Sequence, residues 1–462
     1  MTADGDPPET PPSPARSRTV LTMRIEPDRP APWRPSRRSL LISALVAAVA
    51  AATWGAVSLP GMLDDGMRGP DGAFPKPLAE EPPVHTARHV ATSSGYGPFL
   101  VHGGLAIFGR RDFGDREDTR AVDIATGRTY WRFTKAAWPI GVDRSTGDVL
   151  VHGKDLTAIN ARTGRIHWSR PTPDNGADSA LPVADAGTLV LLGRDGLTGV
   201  GRADGKTRWT KPWPDSCSEK RGGGDVDDVG LVVRGTVVVD CTDLLHGRNT
   251  SVVGFDGRTG ATRWETRIPD LFPENTKKKP RGEIDWEPIG GIWEDRGRVA
   301  IGAGRSIALL DPADGRTLVH HTWKDDDPIA LGSGVLISDC DAPKGTSRIC
   351  GRDPDSGKKL WGTLLPKNEL VFYTQSATVA GGRVYGMAAT GEGRDRNGHL
   401  FILDARTGKR LGDVLLPGPQ VGDIGEPVTD GVVTIRGDGG DLLYAERPDL
   451  QAPRELTPKT RS

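Results

Sequence analysis

Asp256-Gly-Arg-Thr-Gly260, followed four residues later by Trp264, is the stretch on which the fold turns. An Asp at the end of an apolar run accepts hydrogen bonds from backbone N–H groups two residues on and folds the chain into a turn. The Gly closes a hairpin of this loop length because it adopts positive φ without steric cost. Trp264 then lies on the returning strand, where an indole buries a large apolar area, roughly 2–3 kcal/mol per copy.

The pattern occurs seven times. The other copies are Asp123-Ile-Ala-Thr-Gly127 to Trp131, Asn160-Ala-Arg-Thr-Gly164 to Trp168, and Gly201-Arg-Ala-Asp-Gly205 to Trp209. Asp353-Pro-Asp-Ser-Gly357 leads to Trp361, whereas Asp311-Pro-Ala-Asp-Gly315 leads to Val319 and Asp404-Ala-Arg-Thr-Gly408 to Gly412. Successive glycines lie 37 to 55 residues apart. A four-stranded propeller blade needs about 40 to 50 residues, so the longer intervals carry insertions. An apolar run with β-branched residues precedes each turn, as in Gly235-Thr-Val-Val-Val239 and Gly297-Arg-Val-Ala-Ile301, which reads as strand. No convincing amphipathic helix follows Pro60.

Composition agrees. The chain has 462 residues with 61 glycines and 37 prolines, the currency of turns, and 12 tryptophans beside five tyrosines and nine phenylalanines. Its 60 basic and 61 acidic residues give a formal charge of -1, which supplies no global pull toward nucleic acid.

The unit "strand, Asp-x-x-Thr-Gly-x-x-x-Trp" resembles the pyrroloquinoline-quinone (PQQ) type repeat shared by quinoprotein dehydrogenases and BamB-type outer-membrane assembly propellers. The resemblance covers residues 83–449. It implies an all-β fold, an eight-bladed β-propeller of four-stranded antiparallel blades. The WD40 alternative lacks its Gly-His and Trp-Asp signature at blade spacing. An eighth repeat, Gly431-Val-Val-Thr-Ile435 with Leu442-Leu-Tyr-Ala445, has no outer strand of its own. The spare run Val84–Val90 is expected to pair beside Leu442–Ala445 and complete it, because an open sheet edge is costly.

Residues 1–38, rich in proline, read as a disordered cytoplasmic tail. Residues 39–60 read as one transmembrane helix: no charge falls between Ser39 and Leu63, Arg34, Arg37 and Arg38 precede the run, and Asp64 and Asp65 follow. About 20 apolar residues span a bilayer, and the basic flank stays inside. The same run also fits a cleaved twin-arginine signal, through Ser36-Arg37-Arg38-Ser39-Leu40-Leu41 and Ala56-Val57-Ser58, or a buried helix. The first two readings place the propeller on the extracytoplasmic side of the cell membrane. Residues 61–82 read as a linker and 450–462 as a disordered tail.

Cys217, Cys241, Cys340 and Cys350 all follow the apolar run, and an even number in an exported domain points to disulfides. Three pairings are open, as are four buried thiols. The pairing 217–241 with 340–350 keeps both links local, with Cys340 and Cys350 on two strands of one hairpin.

No catalytic, cofactor-binding or metal-binding residue is assigned. The resemblance to quinoprotein dehydrogenases implies an adjacent Cys-Cys pair against the quinone, which this chain lacks. Adjacent His320 and His321 would point to opposite faces of a strand. Asp225, Asp227 and Asp228 form an acidic loop without known calcium-loop spacing. Lys277-Lys278-Lys279 with Arg281 forms a solvated basic run. The resulting expectation is a non-catalytic scaffold with no cofactor, binding a protein or ligand at the cell envelope. A ligand-sensing ectodomain and a PQQ-dependent dehydrogenase are the alternatives.

Overall fold

In a computed structural model of the chain, the described residues run from Met67 to Glu455, except 71–72, 76–87, 94–98, 112–116, 136, 175, 178, 184–186, 218–229, 242–250, 274–276, 279–283, 286–288, 344–345, 366–368, 372–376, 391–396, 416–422, 430, 437–440 and 446–453. The chain divides into two compact units, Met1–Gly61 and Met62–Ser462, and the described residues belong to the second. The expected transmembrane run 39–60 lies outside them. Among the described residues no helix is long and apolar enough to cross a membrane.

The fold is all-β. Consecutive four-stranded antiparallel meanders occupy residues 99–133, 137–171, 179–212, 230–267, 289–322 and 326–364. These are called the first to sixth sheets. The seventh, 377–415, adds Glu369–Val371 as a further strand on Arg383–Thr390. The last contains Asp423–Thr429, Val432–Arg436 and Asp441–Ala445.

The first strand of each sheet lies against the first strand of the next, from Phe99–His102 and Ala137–Asp143 onward, and Asp423–Thr429 lies against Phe99–His102. The sheets are thus arranged as the blades of a β-propeller. Burial follows from that stacking. Middle strands covered on both faces are buried throughout, as in Thr188–Gly193, with the apolar run Leu189–Leu192, and Gly196–Gly201, where glycines and Thr198 fit between the larger side chains of the neighbours. The outermost strand Thr207–Pro212 is largely exposed, because sheets radiating from a common centre diverge at the rim.

A strand from before the first sheet pairs with the last sheet, on the expected partner. Arg88–Ser93 pairs antiparallel with Asp441–Ala445, Arg88 opposite Ala445 and Ser93 opposite Asp441, with a bulge between His89 and Ala91. Arg88–Val90 of the expected run thus lies in this strand, which continues to Ser93, and residues 84–87 lie outside the described residues. Two further strands lie outside 83–449: Met67–Arg68 pairs with Thr129–Phe133 on the first sheet, and Arg454–Glu455 runs parallel to Arg88–Ser93. A short helix, Ile268–Leu271, opens the connection between the fourth and fifth sheets and buries Ile268 and Leu271.

Candidate functional site: two unlike faces

In each antiparallel meander the first and third turns share one face. Both the tight turn between strands one and two and the Asp-x-x-Thr-Gly turn between strands three and four lie there, on what is termed here the motif face. The remaining connections emerge on the opposite, insertion face.

On the motif face the Asp side chain folds its own turn. Asp404 Oδ1 accepts from the Thr407 N–H (2.8 Å) and hydroxyl (2.7 Å), and Asp256 and Asp353 repeat the arrangement with Thr259 and Ser356. The Thr407 hydroxyl and N–H hold the Asp404 carboxyl below the usual carboxylate range, against a smaller opposing effect of burial. For Asp353 the Ser356 N–H is the main cause. For Asp256 burial acts upward, and hydrogen bonds from Arg263 and Thr259 together outweigh it. In the third copy Gly201 replaces Asp, and Asp204, at the Thr position, accepts from the Lys206 N–H (3.1 Å) as the Thr407 hydroxyl accepts from the Lys409 N–H (3.3 Å).

The tryptophans join neighbouring sheets. Trp131 Nε1 donates to the Ala161 carbonyl (2.9 Å), Trp168 to Arg202 (2.8 Å), Trp264 to Pro312 (2.9 Å) and Trp361 to Ala405 (2.9 Å). Each acceptor lies in the motif turn of the following copy. Gly205 shows why that turn ends in glycine: its φ is +65°, and a Cβ there would stand 2.3 Å from the Trp168 ring. The fifth copy departs from the pattern. Val319 occupies the Trp position, but His321, two residues on and so on the same side of the strand, lies beside Gly357 and contacts the Asp355 carbonyl through Nε2 (3.1 Å). His320 turns the other way, against Phe272.

A second set of bridges has no sequence signature. Arg234 and Arg296 take positive φ (48° and 53°) in tight turns, each just before a glycine. Arg234 reaches across to donate to the Arg296 carbonyl (3.3 Å), and Arg296 in turn donates to the Gly334 carbonyl (3.3 Å) and Asp355 (3.0 Å). These arginines clamp the fourth, fifth and sixth sheets in series.

The insertion face carries both disulfides. Cys217, in the connection after the third sheet, is bonded to Cys241 at the end of the second strand of the fourth. Cys340 is bonded to Cys350 across the second and third strands of the sixth. The local pairing is thus the one observed, though the second bridge is diagonal: Cys340 stands opposite Arg348, and Cys350 opposite Ser338.

Beside that bridge the buried Asp326 accepts from Arg352 Nε (2.7 Å) and the Ser338 hydroxyl (3.4 Å), and Arg352 stacks over Trp323 at 5.0 Å. Asp339, cross-strand from Asp327, is pushed up to about 6 by burial and then by the Asp327 charge. Asp326, Cys340 and Cys350 bring one ligand atom each within 4.8 Å of one another. With both sulfurs bonded to each other, this set offers no thiolates to an ion. The acidic loop at 225–228 lies outside the described residues. Lys277–Lys278 forms a two-stranded ribbon with Ile284–Asp285.

One recess of about 300 Å³ opens on the second sheet, lined by Thr146, Asp148, Asn160, Arg165, Ile166 and His167. His167 Nδ1 lies 2.9 Å from Asp148. The Thr146 hydroxyl is engaged with the Asp143 carbonyl and the Asp148 N–H.

Comparison with known proteins places these features in a family. The family described as outer membrane protein assembly factor BamB matches residues 115–278 and 248–447. The chain belongs to this family of PQQ-type repeat propellers. BamB from Moraxella catarrhalis shares the fold, with a TM-score of 0.51 at 14% identity over 78% of this chain and 99% of that one. Quinohemoprotein alcohol dehydrogenase ADHIIG from Pseudomonas putida HK5 overlaps at a TM-score of 0.46 and 14% identity, over 83% of this chain and 78% of that one. No curated protein matches the chain.

The described residues do not fit the quinone site that the dehydrogenase resemblance implies. The cysteines pair across 24 and 10 positions, and no adjacent pair exists to stack on a cofactor.

Proposed function

We propose that the chain is a non-catalytic scaffold of the cell envelope: an eight-bladed propeller, held by a single transmembrane anchor at 39–60, that binds a protein partner on the extracytoplasmic side. The observation that carries the reading is the family match over the propeller together with cysteines committed to two separate disulfides instead of a vicinal one. The contact between the first strands of the first and last sheets, and the pairing of Arg88–Ser93 with Asp441–Ala445, support a ring of eight blades. The uncharged run Ser39–Leu63 supports the anchor. Oxidised cysteines support an exported domain, since disulfides persist in oxidising compartments.

Crosslinking on intact cells followed by mass spectrometry tests the scaffold, with an envelope protein expected in covalent contact with the propeller. Protease added to spheroplasts should digest the domain, and full protection would reject the topology. PQQ with calcium should leave the melting temperature unchanged. A saturable rise, which linkage requires of any ligand of the folded state, would return the dehydrogenase reading.

A further inference from the structure

A propeller exposes the outer edge of every sheet, and an exposed strand edge is a template for pairing with another chain unless charge, proline or a covering strand blunts it. Most edges here are blunted. The first sheet's outer strand is covered by Met67–Arg68, and the last sheet's by Arg454–Glu455. Ile166–Pro171 carries Arg170 and Pro171, and Thr207–Pro212 carries Arg208, Lys211 and Pro212. Thr262–Arg267 holds three charges, and Arg410–Leu415 holds Arg410 and Asp413.

The fifth and sixth sheets differ. Thr317–Thr322 has no Asp, Glu, Lys or Arg, and Lys359–Leu364 has none after Lys359. These two strands also hold three of the four exposed large hydrophobic side chains among the described residues: Leu318, Leu360 and Leu364, at 40%, 47% and 49% exposure. Leu360 and Leu364 share one side of their strand with Gly362 between them. Trp361 and Thr363 turn the other way and are held by the seventh sheet, through Ala405 (2.9 Å) and Gly408 (2.7 Å). Lys358 and Lys359 are exposed at the start of the sixth sheet's outer strand, and neither strand contains a carboxylate; Arg316 is paired with Asp311 and Asp314, and the exposed Asp355 with Arg296.

We propose that Lys359–Leu364 is the edge on which an extended segment of a partner protein adds as a fifth strand, with apolar side chains at alternate positions over Leu360 and Leu364 and acidic ones toward Lys358 and Lys359. The inference rests on the scaffold reading above and gives it a place. The chain already does the same to itself at two other rims, where short segments seat as fifth strands. Main-chain hydrogen bonds supply affinity in such an addition, and alternate side chains supply specificity.

The test uses the purified full chain and a dye-labelled synthetic peptide alternating glutamate and valine over about eight residues. Saturable binding is expected, with slowed amide exchange in Lys359–Leu364 and not in Thr207–Pro212. The double variant Leu360→Lys/Leu364→Lys should weaken binding by about tenfold or more, whereas Thr210→Lys on the third rim should leave it unchanged. Both changes are at exposed positions, and their melting temperatures check the fold. Absence of saturable binding, binding indifferent to the double variant, or equal binding of a lysine–valine peptide would overturn the proposal. So would a dimer abolished by the double variant, which would make a second copy the occupant. A crosslinked envelope protein mapped to the insertion face, with a silent rim, would sink this inference and leave the scaffold reading standing; no crosslinked envelope protein at all would sink the scaffold reading.

Discussion

The motif face and the insertion face are built from the same strands, yet they are held by different forces. On the motif face the Asp-x-x-Thr-Gly turns have one length, their polar groups are satisfied locally, and from the second copy to the seventh the glycine lies under a side chain from the preceding sheet. The two turns of a sheet are also tied to each other, as by the Ala161 N–H to the Gly147 carbonyl (2.8 Å) and the Arg202 N–H to the Gly187 carbonyl (3.0 Å). On the insertion face the connections differ in length, from Lys154 alone, between Asp148–Gly153 and Asp155–Asn160, to residues 268–288. Covalent links occur there. The contrast shows a division of labour: a repeated turn can be stabilised by a repeated neighbour, whereas a unique connection lacks that neighbour, carries a cross-link at two places, and is free to vary in what it contacts.

Four measurements break or sharpen that contrast. The largest effect is expected at the closure that both faces share. Deleting Arg88–Ser93 removes the strand between Asp441–Ala445 and Arg454–Glu455 and should destabilise the whole domain on the scale of its net stability, on the order of 5 kcal/mol or more. A truncated chain that melts within about 2 °C of the parent would show that the strand merely decorates the rim.

Next, Gly205→Ala should cost about 3 kcal/mol, because the new Cβ meets the Trp168 ring as well as an unfavourable φ. Gly187→Ala, with a similar φ of +58° and open space around it, should cost about 1 kcal/mol. Equal costs in denaturant titrations would mean that φ alone, and not the crossing indole, demands glycine in the motif.

On the insertion face, Cys340→Ser with Cys350→Ser should cost about 2–3 kcal/mol for so short a loop. Reductant should then have less effect on the variant than on the parent. If the variant melts with the parent, the cross-link is not what holds this connection.

The smallest effect is at Asp339, whose folded pKa of about 6 stands above the ordinary 3.8. The folded state therefore binds this proton more tightly than the unfolded chain, and its contribution to stability is lost as pH rises from about 4 to about 6. Asp339→Asn should be more stable than the parent by about 1 kcal/mol near pH 8, discounted for partial exposure, with no advantage below about pH 4. A gain independent of pH would remove the Asp327–Asp339 repulsion from the account.

Much of this was legible in advance at particular residues. Asp404, Thr407 and Gly408 announce their turn because every partner lies within four positions, and Trp361 announces a crossing contact because so large an indole on an outer strand needs cover. His321 was hidden. Counting four residues from Gly315 points to Val319, and only the two-residue strand period, with Gly357 beside it, shows that His321 stands in for the tryptophan. The Arg234–Arg296–Asp355 chain was hidden for another reason: surface arginines are common, and which of them bridge depends on which sheets are neighbours.

The sequence by itself determined the period, the turns and the placement of the tryptophans, since all of these are written in residues close to one another; it favoured the local pairing of cysteines without fixing it. Tertiary structure alone decided where the N-terminal strand meets residue 445, which arginines clamp successive sheets, why the Asp339 carboxyl is pushed up, and which rims carry no further strand among the described residues. Each of these is settled by groups far apart along the chain, whose meeting is chosen by the stacking of whole sheets and leaves no mark in any local pattern.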